Sequence, residues 1–391
     1  MAGVSSTGSD ERGSRRAGAI GAGLGGRIGG IVGGALGVLA AGAAVGLAVE
    51  RYAIGRIPTP QRDTNAAGRP VPPVADRVGT AHTTDGIALH VQEDGPADAP
   101  LTAVFVHGYC LTLDSWCFQR LGLADIRNPR VRRVFYDQRS HGRSARAPSE
   151  TATIDRLGED LYELIHQVAP GGRVVLVGHS MGGMTVMALA DRHPEMFGGQ
   201  GDGGPRVVGV ALLSTSTGRL AEVTLGLPAL LARARASLTP YLIRGIRWRA
   251  SLVERGRQVT GDVAFLLTRR YSFGARDVSP WLVEYVGAMI AGTPVEVIAD
   301  FLPAITSHER QGGLNALRTL PTLVLVGDRD LLTPPAHSRA IAEQLPDTQL
   351  VVAEGAGHLV IMERPELVNL HLRAFLHRAA RGVSPARRRK A

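Results

Sequence analysis

Gly178-His179-Ser180-Met181-Gly182-Gly183 follows directly on the apolar run Val174–Val177 and opens into a helical pattern, Met181–His193. A strand that turns this tightly into a helix forces its central residue into a strained backbone conformation. Only small residues two positions to either side then let strand and helix pack close. Ser180 is therefore expected to stand proud of a sheet edge with its hydroxyl exposed to a ligand. The context carries the reading, because a bare G-x-S-x-G string is also compatible with an ordinary glycine-rich turn.

Short β-rich runs recur on both sides of this turn: Leu101–His107, Val131–Asp137, Arg173–Gly178, Val207–Ser214, Thr322–Gly327 and Gln349–Ala353. Helical patterns such as Thr153–Val168, Met181–His193 and Pro335–Leu345 separate them. Nearly continuous apolar strands alternating with helices predict an α/β domain, a mostly parallel sheet with helices on both faces. Thr83-Thr84-Asp85-Gly86, between two short alternating segments, predicts a β-hairpin at the start of the domain. The alternation fails from Gly218 to Gly313, where helical patterns follow one another without a comparable strand. That interval reads as a helical cap inserted between two strands, over the carboxyl ends where open α/β sheets bind ligands.

A serine hydroxyl is a weak nucleophile near neutral pH and needs an adjacent base held by a third group. His358 is the expected base: Glu354-Gly355-Ala356-Gly357-His358 follows the last strand and precedes the helix opened by Arg364-Pro365-Glu366. His308 is a poorer-placed alternative. Gly327-Asp328-Arg329-Asp330 offers two acids after the preceding strand; Asp330, deeper in the loop, is favoured over Asp328. The oxyanion formed on an attacked carbonyl needs preorganised donors. One is expected from the backbone N–H of Met181, the residue after the nucleophile, and the other from Tyr109 in His107-Gly108-Tyr109-Cys110.

With these landmarks in place, residues 79–380 resemble the α/β-hydrolase fold family. The resemblance rests on His107-Gly108 with Trp116, the run Tyr136-Asp137-Gln138-Arg139-Ser140-His141-Gly142-Arg143-Ser144, the Ser180 turn, the Asp330 loop, and Gly357-His358 followed by Glu363-Arg364-Pro365. One departure is Ser140, where relatives commonly carry glycine; the run from Asp137 to Ser144 reads as structural. The resemblance implies the order Ser180, Asp330, His358 and again the acid at Asp330. Members with an aspartate nucleophile are set aside by Ser180. What remains is ester-type acyl transfer to water by a carboxylesterase-like or lipase-like enzyme on a small-molecule ester or acyl substrate, with thioesterase chemistry and a vestigial binding module as alternatives. No metal or organic cofactor is called for. Apolar stretches in the cap, Leu225–Leu231 and Val263–Leu267, with arginines interspersed, suit a lipophilic ester.

The ends read differently. Residues 1–27 are a polar segment, after which Ile28–Val49 runs uncharged for about 22 residues, roughly 33 Å as a helix. Gly21, Gly25, Gly29, Gly33 and Gly37 repeat the small-xxx-small spacing of membrane helices. A single transmembrane helix at 28–49 in a bacterial cell membrane is expected. A cleaved signal peptide and a Gly/Ala tail are the competing readings: the stretch exceeds a signal peptide's usual apolar core, and Ile31, Val32, Leu36 and Leu39 are too apolar for a solvated tail. Residues 50–78 form a proline-rich linker and 381–391 a basic tail. Across 391 residues the formal net charge is +9, yet Lys390 is the only lysine. The arginine load reflects the base composition of a GC-rich bacterial genome, and no nucleic-acid motif accompanies it. Cys110 and Cys117 are too few for a disulfide framework, though a bridge between them stays open.

Overall fold

The structure, a computed structural model, describes residues 74–198, 206–225 and 261–381. The expected membrane helix at 28–49, the segment before it, most of the linker, part of the cap and nearly all of the basic tail lie outside the described residues.

Eight strands make one sheet: β1 (Arg77–His82), β2 (Ala88–Asp94), β3 (Leu101–Val106), β4 (Val131–Tyr136), β5 (Arg173–His179), β6 (Arg206–Leu213), β7 (Thr322–Gly327) and β8 (Thr348–Ala353). Their spatial order is β1-β2-β4-β3-β5-β6-β7-β8. β1 and β2 form the antiparallel hairpin expected from Thr83–Gly86, and β2 runs antiparallel to β4. Every remaining pair is parallel. The sheet is thus mostly parallel, and the six apolar runs of the sequence are its six consecutive strands from β4 to β8.

β3 and β7 are buried along their whole length, which explains their near-absence of polar residues. Successive side chains serve opposite faces. Val104, Val106, Leu176 and Leu212 join one core with α2 (Ile154–Val168) and α3 (Met181–Arg192). Ala103, Phe105, Val175 and Leu213 join the other with α1 (Cys117–Gly122) and the C-terminal helix Pro365–Arg381. The local signals are ordinary. Thr153 caps α2 by accepting from the Arg156 amide at 3.1 Å, and an apolar stripe from Ile154 through Leu157, Leu161 and Leu164 faces the sheet.

Between β6 and β7 the described chain holds α4 (Gly261–Ser272), α5 (Pro280–Gly292), α6 (Val295–Thr306) and α7 (Leu314–Leu317), and no strand. α5 and α6 meet at 93°. Among the described residues no single helix is long and apolar enough to cross a membrane. The remaining helices are α8 (Pro335–Gln344), α9 (Val360–Glu363) and α10 (Pro365–Arg381). Both cysteines are buried and unbridged, and burial pushes the Cys117 thiol up to about 11.

Candidate active site

Parallel register brings the site together. Val106 pairs with Gly178, and His179 pairs with Leu213, so the turns after β3, β5 and β6 open at one edge of the sheet. At the end of β5, Ser180 holds φ 52°, ψ −119°, the strained conformation expected of it. The glycines around it are dictated by contact: a Cβ on Gly182 would lie 2.1 Å from the Val106 carbonyl oxygen, and one on Gly178 2.6 Å from that of Gly182.

The structure brings together Ser180, His358 and Asp330. Ser180 Oγ lies 2.9 Å from His358 Nε2, and His358 Nδ1 lies 2.9 and 3.1 Å from the two Asp330 oxygens. Of the two candidate acids, Asp328 is exposed while Asp330 is buried. Burial alone would raise the Asp330 carboxyl, but His358 beside it, together with donors from Thr333, holds it below the usual carboxylate range. Its Oδ1 accepts from the amides of Leu332 and Thr333, both at 2.9 Å, and the Thr333 hydroxyl donates to Oδ2 at 2.8 Å. Nδ1–H of His358 then donates to Asp330, leaving Nε2 without a proton and facing the Ser180 hydroxyl. His308, the alternative base, sits away from this chain of contacts: its Nε2 is buried without a partner, and burial holds it down at about 4.

The loop after β3 lies against the serine, since a Cβ on Gly108 would be 3.2 Å from Ser180 Cβ. Tyr109 follows it. Met181 is fully buried at the first position of α3, where helix amides point outward unpaired and the helix dipole favours negative charge. Among the described residues, the structure records no hydrogen bond from either amide to another protein group. The Tyr109 side chain takes no part in this edge; its hydroxyl donates to the Ile298 carbonyl on α6 and so ties the loop to the insertion.

Neutral histidines surround the site. Burial depresses His107 to about 4 and His179 and His141 to about 3. His179 therefore keeps a single ring N–H, and its Nε2 donates to the His358 carbonyl at 3.0 Å. His107 accepts from the Gln138 amide at 2.9 Å. Asp137 accepts from the amides of Leu113 and Arg143, and Arg139, fully buried, is forked between Asp160 and Asp85. Ser140 sits at φ 64°, a left-handed conformation that glycine adopts without strain. Of the interspersed cap arginines of the sequence, Arg269 and Arg270 are described; Arg269 donates to the Arg276 carbonyl, and Arg270 is exposed.

Thr333 has no place in the sequence reading, and Glu363 enters it only as a landmark after His358, with no contact assigned to it. The first was signalled by its spacing, an Asp followed three residues later by Thr in a turn. The Glu363 carboxylate accepts from the amides of Gly357, Gly274 and Ala275, contacts that no local pattern announces.

A serine on a strained strand-to-helix turn, a histidine that reaches it and an acid that holds the histidine, all at the carboxyl edge of a mostly parallel sheet, define an α/β hydrolase. The chain belongs to the alpha/beta hydrolase family, whose model matches residues 103–369. It is 28% identical over 278 residues to the sn-1-specific diacylglycerol lipase ABHD11 of Mus musculus, covering 70% of this chain and 80% of that one. It is 26% identical over 297 residues to 3-oxoadipate enol-lactonase 2 of Acinetobacter baylyi, covering 76% and 96%. Among solved structures, a thermophilic esterase from Thermogutta terrifontis superposes with a TM-score of 0.60 at 26% identity, covering 78% of this chain and 99% of that one.

Proposed function

We propose that this chain hydrolyses carboxylic esters, lipophilic ones by preference, through an acyl-enzyme on Ser180. The observation that carries the reading is the continuous contact from Ser180 Oγ through His358 to Asp330 at a strained turn. As Ser180 Oγ bonds to the ester carbonyl carbon, His358 Nε2 takes its proton, and Asp330 stabilises the imidazolium that forms. The carbonyl oxygen becomes an oxyanion facing the N–H groups of Met181 and Tyr109, each such donor being worth about 3–4 kcal/mol. Collapse breaks the bond to the alkoxide, which leaves with the proton from His358. Water then attacks the acyl-enzyme while His358 takes a proton from it; the bond to Ser180 Oγ breaks, His358 returns that proton to the oxygen, and the carboxylic acid leaves.

The kinship to a diacylglycerol lipase, an enol-lactonase and an esterase supports ester-type chemistry, and the apolar insertion supports a lipophilic acyl group. The test is a panel of esters, lactones and thioesters varied in acyl length. Ser180→Ala is expected to lower turnover by on the order of 10⁴–10⁶. Undiminished hydrolysis by that variant sinks the reading.

We further infer that Ile28–Val49 anchors the enzyme in a membrane, on the strength of its uncharged length and small-residue spacing. Release of the full-length protein from membranes by alkaline carbonate would count against it.

A further inference from the structure

The peptide that carries His358 is held from both sides by one short stretch of the helical insertion. Before it, Gly357 and Gly274 meet backbone to backbone: a Cβ on Gly274 would lie 2.5 Å from the Ala356 carbonyl carbon, and one on Gly357 2.5 Å from the Gly274 nitrogen. After it, the Leu359 amide donates to the Ser272 carbonyl at 2.8 Å, at the last residue of α4. The Asp330 loop joins the same seam. The Arg329 amide donates to the Ala356 carbonyl at 2.9 Å, and its guanidinium to the Gly274 carbonyl at 3.1 Å.

Glu363 closes this seam. One carboxylate accepts from Gly357 N at 2.6 Å, from Gly274 N at 3.0 and 3.1 Å and from Ala275 N at 2.5 Å. Among the described residues it forms no ion pair, so its charge is spent wholly on backbone amides from two separate segments. Charge-assisted bonds of this kind are about twice as strong as neutral ones. Without the carboxylate, three amides in the crowded seam lose their acceptor.

We propose that Glu363 is a positioning residue: it locks the His358 loop to the Ser272–Ala275 segment, so that the seating of the helical insertion on the sheet sets the placement of His358 and with it the turnover rate. This rests on the reading of Ser180 and His358 given above. A base displaced by a fraction of an ångström loses rate steeply, whereas substrate binding at a distance from the seam is spared.

The experiment compares wild type, Glu363→Gln, Gly274→Ala and Ser180→Ala on 4-nitrophenyl acetate, with active sites counted by a fluorophosphonate probe. Glu363→Gln keeps the shape and turns an N–H donor towards amide donors. Gly274→Ala wedges the same seam from the insertion side. Both are expected to lower kcat per titrated site by about tenfold to a hundredfold, with KM within about twofold of wild type. If both variants keep wild-type kcat per titrated site, or lose activity only in proportion to the titre, the proposal is overturned and Glu363 merely supports folding. If Ser180→Ala stays active, the serine reading itself falls, a result distinct from the other two.

Discussion

Lowering the pH from 7.5 to 5.5 should destabilise this protein through its buried histidines. His107, His141 and His179 are fully buried, and burial carries them from an ordinary value of 6.5 to about 4, 3 and 3. A histidine depressed in the folded state binds its proton only after unfolding, so between pH 6.5 and about 4 the unfolded chain holds more protons. Stability therefore rises with pH in this window and is lost as pH falls below 6.5. At pH 5.5 each unfolded histidine is about nine-tenths protonated and gains about 1.4 kcal/mol that the folded one cannot, so the three together cost roughly 4 kcal/mol. His308, depressed to about 4, pulls in the same direction. For a domain of this size the melting temperature should fall by on the order of 10 °C. Thermal unfolding followed by circular dichroism at constant ionic strength measures this, and calorimetry in two buffers of different ionisation enthalpy should find roughly three to four protons taken up by these histidines on unfolding at pH 5.5. A melting temperature that stays flat across the window, or no proton uptake, would refute the reasoning.

Thr333→Val removes the hydroxyl that donates to Asp330 Oδ2 at 2.8 Å and keeps its shape, so turnover of an aryl ester should fall about tenfold, the loss of about 1–1.5 kcal/mol. An unchanged kcat would show that the two amides on Oδ1 suffice. Tyr109→Phe removes the hydroxyl that donates to the Ile298 carbonyl on α6. Backbone donation to the oxyanion survives, so steady-state kinetics should show a changed KM for long acyl chains and a kcat within about threefold of wild type. Gly182→Ala places a methyl 2.1 Å from the Val106 oxygen, an overpacking that costs about 3 kcal/mol and should show as a lowered denaturation midpoint in urea.

The strands were legible because each is a short apolar run bounded by loop residues. β3, β5, β6 and β7 must be apolar on both faces, as helices cover both, and a sequence cannot hide such runs. The turn at Ser180 was legible for a related reason: close packing of β5, β3 and α3 excludes every residue but glycine at Gly178 and Gly182. Asp330 was preferred to Asp328 for its depth in the loop; in the structure Asp330 is buried and Asp328 exposed.

Long-range polar contacts were not legible. The bond from Tyr109 to Ile298 spans 189 positions, and that from Glu363 to Gly274 spans 89. Each joins a side chain of unremarkable type to a backbone group, which leaves no mark on composition or periodicity. The same holds for His179, whose service to the His358 carbonyl depends on burial that only the folded chain supplies.

The central claim, that Ser180 is the nucleophile, is tested most directly by reaction of the full-length protein with a fluorophosphonate, followed by peptide mass spectrometry. A single adduct on Ser180 is expected, lost in Ser180→Ala and slowed at least about a hundredfold in His358→Gln, on the order of what an activating base contributes. An adduct on another residue, or none while wild-type ester hydrolysis persists, would contradict it.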